Sequence, residues 1–295
     1  MLSGMARIAI IGGGSIGEAL LSGLLRAGRQ IKDLVVAERT PERAKYLADT
    51  YSVLVTSVTE AVDNATFVVV AVKPVDVESV MGELARAAAA AENDSAEQVY
   101  VTVAAGITIT YFESKLPAGT PVVRAMPNAA ALVGAGVTAL AKGRFVTGQQ
   151  LEEVSALFDA VGGVLTVPEQ QMDAVTALSG SGPAYFFLMV EALVDAGVAA
   201  GLSRQVATDL TTQTMAGSAA MLLERMDEDR GSGDSDSRGI RADATATQLR
   251  ATVTSPGGTT AAALRELERG GLRVAVDAAV QAAKRRSEQL RITSE

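Results

Sequence analysis

The chain of 295 residues carries 26 Lys and Arg against 34 Asp and Glu, and it contains no histidine, cysteine or tryptophan. Those zeros exclude a Ser-His-Asp triad, a thiol nucleophile, any disulfide and the usual zinc ligand set, so no metal is expected. A net charge of −8 argues against nucleic acid as the main partner, because phosphate contacts need clustered Lys and Arg. With 48% hydrophobic but only 4% aromatic residues, the chain is globular, and its core must be built from Ala, Val, Leu and Ile. This length suggests about two domains.

Met1 to Ile11 lacks a basic stretch followed by a long apolar one, so no signal peptide is expected. A cytoplasmic location is expected, in keeping with the absence of cysteine. Arg7 to Ile11 reads as a short strand, followed by a glycine cluster and then by helical spacing from Glu18 to Ala27. Leu34 to Ala37 predicts a second strand, and Thr40-Pro41-Glu42 a helix start with Thr at the N-cap and Pro at the first position. Thr66 to Val72 is a continuous apolar strand, as expected where both sheet faces are covered. Val99 to Ala104 and Pro121 to Ala125 add two more. The alternation predicts a doubly wound parallel sheet.

From about residue 165 the β-branched runs fade, and Ala- and Leu-rich stretches at helical spacing take over. Pro183 to Gly201 is apolar nearly throughout, but Glu191 and Asp195 interrupt it, which predicts a buried helix packed on another chain or domain rather than a membrane span. Asp227 to Ala244, rich in Asp, Ser, Gly and Arg, is expected to be a mobile loop. The prediction is α/β followed by all-α: residues 1–165 as a dinucleotide-binding domain and 166–295 as a helical one.

The strongest local signal follows the first strand. Gly12, Gly14 and Gly17 occupy the three places of G-x-G-x-x-G, with Ser15 and Ile16 between the last two. The first glycine permits the tight turn, the second lets a pyrophosphate approach the backbone, and the third packs helix on strand. The second strand ends in Glu38-Arg39-Thr40. An acid there suits the ribose hydroxyls of NAD and an arginine the 2′-phosphate of NADP. Arg39, Thr40 and the helix start favour NADPH, with NADH as the alternative donor.

Ala71-Val72-Lys73-Pro74 closes the apolar strand at its carboxyl end, where ligands of such sheets sit, and Pro74 would hold that backbone near the cofactor. Lys73 reads equally well as a solvated charge. Asn128 follows Arg124-Ala125-Met126-Pro127 and either positions the nicotinamide end or caps the next turn. In the helical half, Ser179 to Tyr185 and Val253 to Ala261 are polar, glycine-rich segments ahead of helices, whose exposed N–H groups suit a carboxylate. Ser255, Thr259 and Thr260 add hydroxyls.

Taken in order, G-G-G-S-I-G at Gly12 to Gly17, A-V-K-P at Ala71 to Pro74, R-A-M-P-N at Arg124 to Asn128, S-G-S-G-P-A-Y at Ser179 to Tyr185 and T-S-P-G-G-T-T at Thr254 to Thr260 resemble the pyrroline-5-carboxylate reductases. The resemblance spans nearly the whole chain, and its last two motifs are the most specific. It implies an N-terminal Rossmann domain and a C-terminal helical domain that dimerises, with dimers built into rings. It implies hydride transfer from NADPH to a cyclic imine, the last step of proline biosynthesis. Thr260 matches the threonine that hydrogen-bonds the ring nitrogen, while Ser255, Gly257, Gly258 and Thr259 belong to the segment that holds the substrate. The chain departs from the family at Ala129-Ala130, where Thr-Pro is usual, and at Thr245-Ala246-Thr247, where a His-Pro-Ala-like stretch is usual. The rival readings are an oxidoreductase related to the hydroxyacid dehydrogenases and a non-catalytic NADP sensor. The first is weakened because the lysines of the helical half reduce to Lys284 beside two arginines, a solvated setting.

Overall fold

The computed structural model describes residues 6–90, 98–231 and 238–292. The first part alternates β1 (Ile8–Ile11), α1 (Ser15–Arg26), β2 (Leu34–Ala37), α2 (Pro41–Tyr51), β3 (Leu54–Thr56), α3 (Val58–Val62), β4 (Phe67–Val70) and α4 (Val77–Ala90). It continues through β5 (Val99–Thr102), α5 (Ile109–Lys115), β6 (Val122–Met126), β7 (Gly136–Lys142), α6 (Gly148–Phe158) and β8 (Gly162–Thr166). The strands form one sheet in the order β3-β2-β1-β4-β5-β6-β7-β8.

Period-two alternation explains the continuous apolar strands. Ile8, Ile10, Phe67, Val69 and Val101 join one core with Leu20, Leu21 and Leu24 of α1 and Leu157 and Phe158 of α6. Ala9, Ile11, Val68, Val70 and Tyr100 join the other with Met81 and Leu84 of α4 and Ile109 and Phe112 of α5. Both faces are therefore covered, which is why no polar residue alternates in β1 or β4.

β1 pairs in parallel with β2 on one side and β4 on the other, so the chain winds away in opposite directions at their carboxyl ends. A ligand crevice belongs at such a switch point. All pairs from β3 to β6 are parallel, as expected. β7 runs antiparallel to β6, and β8 runs parallel to β7. The sequence does not reveal β3, β7 or β8. β3 has only three residues, β7 contains Ala139 and Ala141, and β8 begins with two glycines, all poor strand signals.

The remaining elements are helical: α7 (Met172–Val175), a π-helical turn at Thr176–Gly180, α8 (Gly182–Ala199), α9 (Arg204–Gly231), α10 (Arg238–Thr252), α11 (Thr259–Arg269) and α12 (Leu272–Gln289). Among the described residues, contacts group Met1–Pro183 with Val280–Glu295 as one compact unit and Ala184–Ala279 as another. Met172 and Ala177 are fully buried within the first unit. The chain end also returns there: Asp173 accepts hydrogen bonds from Ser287 Oγ at 2.7 Å and Arg291 Nε at 2.8 Å, and the Ile292 N–H donates to Gly106 O at 3.0 Å.

One expectation for the helical half needs correction. The expected mobile loop is helical at 227–231 and 238–244, the ends of α9 and α10, while 232–237 lie outside the described residues. Extending an existing helix adds one hydrogen bond per residue without a new nucleus, and the Ser and Gly residues concentrate at 231–237. α8, expected to be buried against another chain or domain, keeps its apolar residues exposed in the single chain: Phe186, Phe187, Leu188 and Leu193 each keep more than half of their surface. Among the described residues, nothing covers this apolar circumference.

Candidate functional site

The crevice at the switch point measures about 480 Å³ and is lined by Gly12, Gly14, the Ala37–Thr40 connection, Arg43 and the segment Ala71 to Lys73. Hydrogen bonds lock its floor. The Gly12 N–H donates to Ala37 O at 2.8 Å, and the Ala71 N–H donates to Ile11 O at 2.7 Å.

The three glycines do different jobs. Gly12 has φ +104°, and a Cβ there would lie 2.8 Å from Ala71 O. A Cβ on Gly17 would lie 2.0 Å from Gly12 O, so this residue lets α1 sit against the loop. A Cβ on Gly14 would meet no protein atom within 4 Å. Gly14 is also the N-cap of α1 and gives it no side-chain cap, so the first N–H groups of a twelve-residue helix are left uncapped next to a residue that lines the crevice. Only Gly14 is free of any demand from the fold, which is what a backbone surface kept open for a phosphate requires. The residues present thus fit a dinucleotide.

At the far end, the Glu38 carboxylate accepts from the Gly13 N–H at 2.9 Å and the Thr40 N–H at 2.8 Å. Burial pushes the Glu38 carboxyl up, but those N–H groups outweigh it and hold it below the usual carboxylate range. Thr40 occupies the N-cap of α2 as predicted, yet its side chain makes no cap bond; Glu38 takes its N–H instead. Arg43 donates from Nε to Gly13 O at 2.6 Å and pairs with Glu18, which Tyr51 also holds at 2.8 Å. Arg39 pairs with Asp76 at 2.7 Å.

Of the predicted cofactor residues, Gly12, Gly14, Arg39, Thr40, Ala71, Val72 and Lys73 line the crevice. Ser15, Ile16 and Gly17 form the first turn of α1. Pro74 opens the 3₁₀ turn that carries Asp76. Asn128 is not among the lining residues; its Oδ1 accepts from the Val137 N–H at 3.2 Å and so anchors the start of β7. The sequence alone misses Arg43, Thr56, Ser57 and Asp76, which also line the crevice. Ser57 had a legible signal, since Ser57-Val58-Thr59-Glu60 is a capping-box pattern, and Ser57 Oγ does accept from the Glu60 N–H at 3.3 Å.

In the second unit, the Ser255 to Thr260 segment forms the turn into α11. Gly257 has φ +69°, the Gly258 N–H donates to Ser255 O at 3.0 Å, and Gly258 caps the helix without a side-chain bond. The opening N–H groups of an eleven-residue helix are thereby left without a cap. Thr254 is committed to the backbone, donating to Arg250 O at 2.6 Å. Thr260 lies half-buried in the first turn of α11. In the first unit, Gly180 of the other specific motif ends the π-helical turn, and a Cβ there would lie 2.8 Å from Met126 Cε. Such turns recur at functional sites.

Comparison with known proteins agrees with both halves. Residues 169–290 match the family described as pyrroline-5-carboxylate reductase dimerisation, and residues 7–106 match that described as NADP oxidoreductase, coenzyme F420-dependent. A pyrroline-5-carboxylate reductase of Mycobacterium tuberculosis is 83% identical over 295 residues, covering 100% of both chains. The solved pyrroline-5-carboxylate reductase of Coxiella burnetii superimposes with a TM-score of 0.85 at 34% identity, covering 98% of this chain and 100% of that one. That of Plasmodium falciparum, solved with NADP bound, gives 0.77 at 27% identity, covering 97% and 98%. With full-length likeness at this level, the chain belongs to the pyrroline-5-carboxylate reductase family.

Proposed function

We propose that the chain reduces L-1-pyrroline-5-carboxylate to L-proline with NADPH as the preferred donor, the last step of proline biosynthesis. The observation that carries this reading is the 83% identity to a pyrroline-5-carboxylate reductase along the whole chain. When bound, the nicotinamide supplies the hydride for the imine carbon.

The chain's own contribution is placement. Gly12, Gly14 and the first turn of α1 (Ser15, Ile16, Gly17) hold the pyrophosphate, and Arg39 and Thr40 take the 2′-phosphate. Ala71 to Pro74 and Asn128 border the nicotinamide end. Ser255, Gly257, Gly258 and Thr259 receive the substrate carboxylate at the start of α11, where uncapped N–H groups favour an anion. A cyclic imine is activated by a proton on its nitrogen, so the absence of histidine and cysteine is no obstacle. The Thr260 hydroxyl accepts from the iminium N–H, which orients the ring and stabilises the cation until reduction leaves a neutral amine.

The exposed apolar residues of α8 support self-association as a dimer through the C-terminal helices, and dimers build into a ring. The assembly works in the cytoplasm without membrane or nucleic-acid partners. The test is oxidation of NADPH on adding L-pyrroline-5-carboxylate, with NADH in parallel. Turnover to proline that falls at least about tenfold in Thr260→Ala supports the reaction and the role of Thr260. No turnover with either donor, despite nucleotide binding, would overturn the reading.

A further inference from the structure

An ion pair joins the end of β2 to the turn after β4 across the crevice: Arg39 Nη2 lies 2.7 Å from Asp76 Oδ1. Its two members are held very differently. The Arg39 side chain is 75% exposed, against 23% for Asp76. Asp76 sits on the 3₁₀ turn Pro74–Asp76, pinned by its N–H donating to Lys73 O at 2.9 Å. The other arginine that lines the crevice, Arg43, is committed to Gly13 O and Glu18. Glu38 is committed too, to the N–H groups of Gly13 and Thr40. Arg39 is therefore the guanidinium at this end that can turn towards an incoming anion, and Asp76 is the group it must leave.

We propose that Asp76 sets the balance between phosphorylated and unphosphorylated dinucleotides by competing with the ribose 2′-phosphate for Arg39. The inference rests on the proposed cofactor reading of the crevice. A 2′-hydroxyl carries no charge to draw the guanidinium away, so the pair survives when NAD(H) binds. A 2′-phosphate draws Arg39 off and leaves the Asp76 carboxylate unpaired beside a second anion. Removing the charge of Asp76 then helps only the phosphorylated ligand, and it does so only while Arg39 is present.

Calorimetric titration of the full chain with NADP⁺, NAD⁺ and 2′,5′-ADP tests this without reference to turnover. Asp76→Asn should tighten NADP⁺ and 2′,5′-ADP by roughly two- to five-fold, the span expected for an exposed ion pair, with NAD⁺ unchanged. Arg39→Gln should weaken NADP⁺ by about tenfold and abolish the gain from Asp76→Asn in the double variant. Asp76→Ala repeats the measurement should the amide find a new partner. Equal shifts for both dinucleotides, weaker NADP⁺ binding in Asp76→Asn, or a gain that persists in the Arg39→Gln background would each overturn the proposal. A wild-type chain that binds neither dinucleotide overturns it together with the cofactor reading. One that binds NADP⁺ but reduces no imine overturns only the substrate assignment, and the same titrations still decide the role of Asp76.

Discussion

Gly14→Ala and Gly17→Ala should separate what the phosphate loop does for a ligand from what it does for the fold. A methyl on Gly17 would lie 2.0 Å from Gly12 O, against a normal C···O contact of about 3.3 Å, so backbone must move by roughly 1.3 Å. Neither party is a flexible side chain, and α1 is wedged on the sheet by Leu20, Leu21 and Leu24. Overpacking of this kind costs about 1–3 kcal/mol, and a net loss of about 2 kcal/mol remains after the modest gain in helix propensity. That corresponds to a melting temperature lower by roughly 4–8 °C in a unit of this size. Gly14 stands at φ −67° and ψ −173°, open to alanine, with no atom within 4 Å of the new methyl. Its weaker N-cap costs about 0.5 kcal/mol, offset by a similar loss of entropy in the unfolded chain, so stability should stay within about 0.5 kcal/mol. The same methyl occupies the place of an approaching pyrophosphate, and NADP⁺ affinity should drop by at least about tenfold. Circular-dichroism melts without ligand and calorimetric titrations with NADP⁺ read the two effects separately. If Gly14→Ala melted as early as Gly17→Ala, or bound NADP⁺ like the wild type, the assignment of roles would be refuted.

Two further outcomes concern the Asp173 network and the exposed face of α8. Asp173, 1% exposed, holds Ser287 and Arg291, so Asp173→Ala should cost about 2–3 kcal/mol in urea unfolding, less than a fully enclosed pair because Arg291 is 40% exposed. Burial pushes the Asp173 carboxyl up, but hydrogen bonds from Arg291 and Ser287 outweigh it and leave it below the usual range. Its stabilisation is therefore complete above the unfolded value of about 4 and is lost as the pH falls through the folded one, and Asp173→Asn should flatten that acid limb. A wild-type acid profile in Asp173→Asn would refute this account. Phe187→Asp, at a position 63% exposed in the single chain, should shift the protein from dimer to monomer in light scattering at micromolar concentration without altering the circular-dichroism spectrum. A wild-type mass would place the association surface elsewhere.

The sequence by itself determined the elements whose patterns are local. β1, β2 and β4 are short apolar runs closed by turn residues, and G-x-G-x-x-G is read from spacing because the three glycines sit within one strand–turn–helix segment. The motifs at Ser179 to Tyr185 and Thr254 to Thr260 pointed to the family for the same reason: each is one turn and one helix start. Tertiary structure decided the rest, because the deciding partners are distant in the chain. Whether Glu38 was free for a ribose depended on Gly13, 25 residues away. Asp76 became part of the crevice only when the turn after β4 met the end of β2, and the Asn128 oxygen is held by the Val137 N–H at the start of β7. The weak strands β3, β7 and β8 form because a neighbouring strand offers its hydrogen bonds, which no propensity records. Asp173 draws the chain end into the first unit across 118 residues. α8 shows the same limit from the other side: its composition calls for cover, and the described residues of a single chain leave its apolar side chains exposed.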